Sequence, residues 1–284
     1  MDDGSNAHAV LLAGGIGRRL APLSTPERPK QVLPLLCDGQ TPLGAMWQAV
    51  RPLVDHNRVL VVTGRPMEAA VRATLPELPD TCFLVEPEGR NTLPALTWAT
   101  AEVARRGGDR LFSVHADQWV ADPESLVRTL RDALDATMHG LALVGLTADR
   151  PSTEYGWIVP GAPISQQVWR IAAFEEKPQP ARAEALLSQG ALWNMGAFAW
   201  TVDAFDTALQ QAAPRTAGAF RRLRMGEAIE EVWQAMERVS VDVGLIEKAD
   251  RLAMVRGTFD WDDLGTPERL AQVRRRLGLE PGTS

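Results

Sequence analysis

An α/β fold, with a mixed, mostly parallel sheet flanked by helices, is predicted by three features of this sequence. Short apolar runs recur through its first half, stretches with helical spacing separate them, and the first run breaks directly into glycines. Residues 9–13 form that first run, and Gly14-Gly15 closes it, the pattern of a strand buried on both faces that ends in a tight loop. Further strands are expected at residues 59–62, 81–85, 111–114 and 141–146. Helices are expected at 43–54, 67–75, 94–105 and 123–136. Beyond Arg150 the pattern changes. Residues 155–159 and 169–174 read as strands joined by a Pro/Gly-bearing turn, a β-rich insertion, and helical stretches follow at 180–189, 202–212, 219–224 and 228–236. The alternation makes the fold Rossmann-like, and ligands of such sheets sit beyond the carboxyl ends of the strands.

At 284 residues the chain has ample length for a core. No linker, repeat or low-complexity segment marks a border, so residues 1–284 are read as one domain, with a core at 7–266 and a C-terminal helix at 267–278. No apolar run approaches the roughly 20 residues that cross a bilayer. The opening Met1-Asp2-Asp3-Gly4-Ser5-Asn6 lacks the basic and apolar regions of a secretory signal, which makes the cytoplasm the expected location. A net charge of -6 with scattered Lys and Arg gives no general attraction for nucleic acid, so any phosphate must be bound locally. Cys37 and Cys82 lie in apolar runs and are read as buried thiols.

The sharpest motif is Gly14-Gly15-Ile16-Gly17-Arg18-Arg19-Leu20, followed by Pro29-Lys30-Gln31. Glycines after a buried strand let backbone N–H groups approach phosphate oxygens, and Arg18, Arg19 and Lys30 add the charge to neutralise a triphosphate. A dinucleotide-binding loop would open straight into a helix with a third glycine, but position 20 is Leu and Pro22, Pro26 and Pro29 interrupt; only Asp38 fits that alternative. A P-loop would end in Gly-Lys-Ser/Thr, where this one ends in Arg-Arg. Asp117 ends an expected strand, where a hard oxygen ligand meets Mg²⁺ and phosphate; the competing reading is an ordinary turn residue. Asn91 and Thr92 likewise read as helix caps.

Together these stretches resemble the sugar-1-phosphate nucleotidyltransferases, and among them the mannose-1-phosphate guanylyltransferases. The glycine loop resembles Gly-Gly-x-Gly-Thr-Arg-Leu-x-Pro-Leu-Ser followed by Pro-Lys-Gln, which gives Gly14, Gly15, Gly17, Arg18 and Arg19 to the triphosphate and makes Lys30 a phosphate ligand. Arg18 stands where that family has Thr. Residues 86–95 resemble Glu-Pro-x-x-Arg-Asn-Thr-x-Pro-Ala, which lies along the nucleotide through Arg90, Asn91 and Thr92. Residues 259–265 resemble Trp-x-Asp-Val-Gly, so Asp263 becomes the metal partner of Asp117, with Asp262 the alternative register. Gly156 (Tyr-Gly-Tyr-Ile), Glu176 and Lys177 (Phe-x-Glu-Lys-Pro), Asn194 (Trp-Asn-Ser-Gly-x-Phe) and Asp242 (Ser-Ile-Asp-Tyr) fall on the sugar side, Lys177 holding the sugar phosphate.

The resemblance implies a fold of the nucleotide-diphospho-sugar transferase type, with the β-rich insertion over the sugar site and no C-terminal β-helix. It implies a Mg²⁺-dependent transfer of a nucleotidyl group from GTP to mannose 1-phosphate with release of pyrophosphate, and is compatible with a homodimer. Arg19, Lys30 and Lys177 then act by positioning and charge neutralisation. Two rivals stay open: the same reaction with another pair, such as glucose 1-phosphate with UTP or dTTP, and a noncatalytic sugar-nucleotide sensor. Departures at Arg18, His115, Gln118 and Met195 keep the sensor in view.

Overall fold

The computed structural model describes residues 6–279. Residues 1–5, on which most of the argument against a secretory signal rests, and 280–284 lie outside them. In chain order the elements open with β1 (Ala7–Leu12), α1 (Pro42–Val50), β2 (Val59–Gly64), α2 (Glu68–Thr74), β3 (Phe83–Glu86), α3 (Thr92–Arg105) and β4 (Arg110–His115). Then come β5 (Trp119–Val120), α4 (Pro123–Ala136), β6 (Leu141–Thr147), β7 (Gly156–Pro163), β8 (Val168–Glu176), α5 (Pro180–Ser188), β9 (Leu192–Thr201) and α6 (Val202–Ala212). The last are α7 (Pro214–Arg224), α8 (Ile229–Val232), α9 (Val241–Gly244), β10 (Leu252–Gly257), β11 (Trp261–Asp262) and α10 (Pro267–Arg276). No helix among the described residues is long and apolar enough to cross a membrane.

Packing divides these residues into two compact units, neither of them a continuous stretch of chain. The first holds the described residues up to Val10, Arg90–Val114 and Arg128–Thr258; the second holds Leu11–Gly89, His115–Val127 and the described residues from Phe259 on. The chain passes between units inside β1, β4 and α4 and in short loops at 89–90 and 258–259, so no linker composition marks a border.

In the second unit β2 and β3 pair in parallel, Val61 with Phe83 through Gly64 with Glu86. All six residues of β2 are buried, as the unbroken apolar run demands. The ends of neighbouring strands are tied by Ala13 N–H donating to the Val62 carbonyl (2.8 Å) and Ala116 N–H donating to the Leu12 carbonyl (3.0 Å). An apolar cluster of Leu20, Leu33, Leu35, Leu36, Trp119, Leu264, Leu270 and Val273 underlies the glycine loop. Each large side chain fully buried there contributes about 1.5–3 kcal/mol.

In the first unit the sheet runs β4-β9-β6-β10-β8-β7. Strand β10 lies parallel to β6, whereas β9 runs antiparallel to both β4 and β6. Neither β9 nor β10 was expected from the sequence, and β9 makes the sheet mixed at this point. Strands β7 and β8 form the expected hairpin, with register shifts at Val159/Pro160 and Pro160/Pro163 where proline cannot donate to the ladder. On the helical side Trp200 stacks on Phe205 at 4.8 Å and Phe205 meets Phe220 edge-on at 5.7 Å. The buried Trp200 indole donates to Thr100 Oγ1 at 3.1 Å, so its one polar atom is satisfied. Helix α7 starts at Pro214, five positions earlier than the spacing suggested, because proline suits the first helical turn while Gly218 masks the periodicity.

Candidate functional site

Within the second unit, chain geometry gathers the residues expected to serve phosphate and metal. Gly14 and Gly15 leave the end of β1 exposed to solvent, and Gly17 takes a left-handed backbone with φ 68°. A Cβ at Gly17 would sit 3.0 Å from Ser24 Oγ and 3.3 Å from Lys30 Cγ, so glycine is required by backbone and by crowding alike. Arg18 and Arg19 follow in a 3-10 turn with exposed side chains, anchored by buried Leu20.

Lys30 is buried beneath this loop, with its ammonium 3.1 Å from Asp117 Oδ2 and donating to the Asp263 main-chain carbonyl. Neighbouring Gln31 is fully buried and donates from Nε2 to the Ala13 carbonyl at 2.8 Å, tying the strand end ahead of the glycines to the Pro-Lys-Gln turn. Asp117 and Asp263 are brought together by a two-stranded antiparallel ribbon. Strand β5 begins two residues after Asp117, β11 ends one residue before Asp263, and Asp262 pairs with Trp119. Burial pushes the Asp263 carboxyl above its usual range, opposed by Lys30, and Asp117 adds to the rise by repulsion. The two carboxylates therefore feel one another. Gly265 permits this packing, since a Cβ there would lie 2.8 Å from both Asp263 carboxylate oxygens and from Arg19 Nη2.

No cluster of three or more His, Cys, Asp or Glu side chains able to hold a metal occurs among the described residues. Mg²⁺ needs one or two carboxylates, completing its six oxygens with water and substrate phosphate. Asp117 and Asp263 would supply that donor set for a bound Mg²⁺, and Asp117 Oδ1 and Asp263 Oδ2 carry no hydrogen bond from the described residues.

One residue that sequence reasoning left out is Glu86, the last residue of β3. It is 6 % exposed, has no hydrogen-bond or ion-pair partner among the described residues, and has Oε2 only 3.2 Å from where a Gly14 Cβ would be. Burial pushes its carboxyl up to about 7. A buried acid at the end of a strand beside the glycine loop is a candidate ligand-binding group, because leaving its charge unpaired is costly. The signal in the sequence was a charged residue closing an otherwise apolar strand.

The first unit gathers the residues expected on the sugar side. Gly156 lies opposite Glu176 across β7 and β8. Lys177 has a left-handed backbone (φ 48°), its N–H donating to the Tyr155 carbonyl at 3.1 Å and its ammonium 2.8 Å from Glu176 Oε1. Asn194, buried on β9, donates to Asp242 Oδ1 at 3.0 Å, and Glu247 accepts from the Glu176 N–H at 2.9 Å. Asp242 is pushed up to about 7, first by loss of water and then by repulsion from Glu176. A Cβ at Gly156 would stand 2.6 Å from Glu176 Oε2 and 2.8 Å from Phe174. Gly156→Ala should therefore lower stability by about 1–3 kcal/mol through overpacking, read from the midpoint of urea denaturation.

Arg90, Asn91 and Thr92 serve the protein itself in this structure. The Arg90 guanidinium donates to the Met236 carbonyl (3.0 Å) and to Gln234, Asn91 caps α3 by accepting from the Thr92 N–H (2.9 Å), and Thr92 Oγ1 accepts from the Val241 N–H (2.9 Å). Capping, one of the two readings of Asn91, is thus observed. Cys37 is half-buried and Cys82 buried, and neither is in a disulfide, so only the second is as enclosed as its apolar run suggested.

Comparisons with known proteins bear on the family and the fold. The family model described as nucleotidyl transferase matches residues 8–278. The xanthan biosynthesis protein XanB of Xanthomonas campestris pv. campestris (strain B100) is 30% identical over 96% of this chain and 61% of its own length. A mannose-1-phosphate guanylyltransferase of Sinorhizobium fredii is 29% identical over 90% of this chain and 53% of its own. The chain thus spans between about half and three-fifths of these curated relatives. Among solved structures, one described as mannose-1-phosphate geranyltransferase from Thermus thermophilus superposes with a TM-score of 0.89 at 35% identity, covering 98% of this chain and 81% of that one. With a family match along nearly its whole length and the glycine loop, buried lysine and paired carboxylates in place, this chain belongs to the nucleotidyl transferase family of enzymes.

Proposed function

We propose that the protein transfers a guanylyl group from GTP to mannose 1-phosphate, releasing pyrophosphate and forming GDP-mannose. The observation that carries this reading is the convergence of Asp117 and Asp263 on Lys30 beneath the glycine loop. A pocket holding two carboxylates, a buried ammonium and the long, exposed Arg19 is matched to a metal-bound triphosphate, whose charge needs both cations and hard oxygen ligands. Mg²⁺ held by Asp117 and Asp263 would supply Lewis-acid neutralisation of phosphate charge. Lys30 and Arg19 hold the triphosphate, and Lys177 with Glu176 and Asn194 hold the sugar phosphate and sugar hydroxyls. A sugar-phosphate oxygen is already ionised near neutral pH, so it attacks the α-phosphorus in line without a protein nucleophile or general base.

Guanine as the base is supported by Glu86. Guanine presents N1–H and N2–H₂ as adjacent donors, and the two oxygens of an ionised carboxylate accept both at once. Uracil and thymine present an acceptor beside a donor and leave one Glu86 oxygen facing an oxygen. Mannose is supported by the Sinorhizobium relative and the Thermus structure through what they are named for. A cytoplasmic location suits a consumer of nucleoside triphosphates.

Pyrophosphate release measured over a matrix of GTP, UTP, dTTP and ATP with mannose and glucose 1-phosphates, with and without Mg²⁺, tests this reading. GTP with mannose 1-phosphate is expected to lead, and only with the metal. Turnover led by another pair would move the substrate assignment, while silence across the matrix with tight GDP-mannose binding would favour the sensor.

A further inference from the structure

Asp262 and Asp263 are adjacent and both largely buried, and the Asp263 carboxylate feels that of Asp117. Burying ions costs several kcal/mol each unless their charge and lone pairs are met. Part of the compensation comes from the turn itself. Leu264 N–H donates to Asp262 Oδ1 and Gly265 N–H to Asp263 Oδ1, both at 2.8 Å, with Leu264 held in a left-handed backbone (φ 50°). Lys30 and Arg19 add opposite charge beside Asp263, and further compensation comes from α10. Thr266 caps that helix by accepting from the Arg269 N–H, and Leu270 and Val273 seat it in the apolar cluster. The helix thereby delivers Arg269, 8 % exposed, to both acids: Nε and Nη2 each lie 3.3 Å from Asp262 Oδ2, and Nη1 lies 3.0 Å from Asp263 Oδ1. Only a planar guanidinium reaches two separate carboxylates from one rigid fork.

The consequence falls on Asp263. Its Oδ1 takes two donors, the Gly265 N–H and Arg269, whereas Oδ2 takes none from the described residues. We propose that Arg269 is a positioning residue for the divalent cation, fixing the Asp263 carboxylate so that it offers Oδ2 alone. This rests on Asp117 and Asp263 being the metal carboxylates. Arg269 itself touches neither metal nor substrate; it acts through Asp263, as partners of metal ligands do elsewhere.

Mn²⁺ titration of the full chain in the presence of GTP, followed by the electron paramagnetic resonance of free Mn²⁺, reads this without turnover. The double variant D262N/R269Q removes both members of the buried Asp262–Arg269 pair, and the Asp263 carboxylate keeps the Gly265 N–H and the nearby Lys30 charge, so the fold is expected to survive. It should bind Mn²⁺ at least about tenfold more weakly than wild type, with the melting temperature and metal-free GTP affinity little changed. R269K keeps the charge but loses the fork, and its Mn²⁺ affinity should fall between the two. A folded double variant that binds Mn²⁺ as wild type does would overturn the proposal and leave Arg269 as an ion pair of the core. Should the double variant fail to fold, R269K decides: wild-type Mn²⁺ affinity in it overturns the proposal equally. A wild-type chain that binds no Mn²⁺ would overturn the carboxylate assignment itself, a separable outcome.

Discussion

Asparagine at Asp117 is expected to cut metal-dependent turnover roughly 10²–10⁴-fold, the several kcal/mol that metal neutralisation of a phosphoryl transition state supplies. The amide keeps size and shape, so a folding defect does not explain the loss. It removes the negative charge facing Lys30 at 3.1 Å, however, and leaves that buried ammonium donating to the Asp263 carbonyl. Lys30 is then more available to a triphosphate. Metal-free GTP binding should therefore hold or tighten in D117N even as turnover collapses. This opposite movement separates loss of a metal ligand from general damage to the pocket. Near-wild-type turnover in D117N, with Mg²⁺ still required, would remove Asp117 from the metal site. D263N should behave alike in turnover.

The second large effect concerns Glu86. The folded chain keeps its proton up to about pH 7, whereas an ordinary glutamate releases it near 4.5. Between those values the folded state binds more protons than the unfolded one, so stability falls as pH rises through this window. Below it the penalty is absent, and above it the penalty is complete, on the order of 3 kcal/mol. Glu86→Gln carries no charge at any of these pH values. It should match wild type in urea denaturation near pH 4.5 and be more stable by on the order of 3 kcal/mol at pH 8. A difference that stays constant between the two pH values would show that Glu86 ionises normally. The same substitution replaces two acceptors by one acceptor and one donor group. GTP should lose roughly 5- to 150-fold in kcat/KM, the 1–3 kcal/mol carried by a bidentate base contact, while UTP or dTTP gains relative to it. A more stable enzyme that has lost its base preference is the expected signature of a binding residue.

Much of the site was legible because its residues follow strands. The run ending in Gly14-Gly15, the Ala116-Asp117 strand end and the Trp261-Asp262-Asp263 turn each couple an apolar stretch to one polar position, and the structure sets 14, 30, 117 and 263 together in one unit. Strand β9 was overlooked although Trp193 and Asn194 stood out. Its ten residues lack the alternation of a one-sided strand, since neighbours on either side bury nearly all of them. Strand β10 is a short apolar stretch between the helical stretches read at 228–236 and 267–278. Nothing in the sequence assigns α10 a role. Its apolar stripe announces a helix, but a basic residue among Arg269, Arg274, Arg275 and Arg276 looks like a solvated face until packing shows that Arg269 alone is turned inward. Glu86 hid in a motif valued for its family likeness, and only burial without a partner singles it out.

The apolar cluster beneath the glycine loop joins Leu20, Leu33, Leu35 and Leu36 to Leu264, Leu270 and Val273. A ribosome delivers the first four long before the last three. During synthesis the second unit is therefore a floor missing its far boards, with β2 and β3 able to pair while the glycine loop lacks part of the cluster it settles on. Every residue of the first unit precedes Phe259, so its chain is complete sooner. Vectorial folding thus leaves the unit of the glycine loop for last, and the nascent chain acquires Asp263 and the helix that carries Arg269 in a single late event.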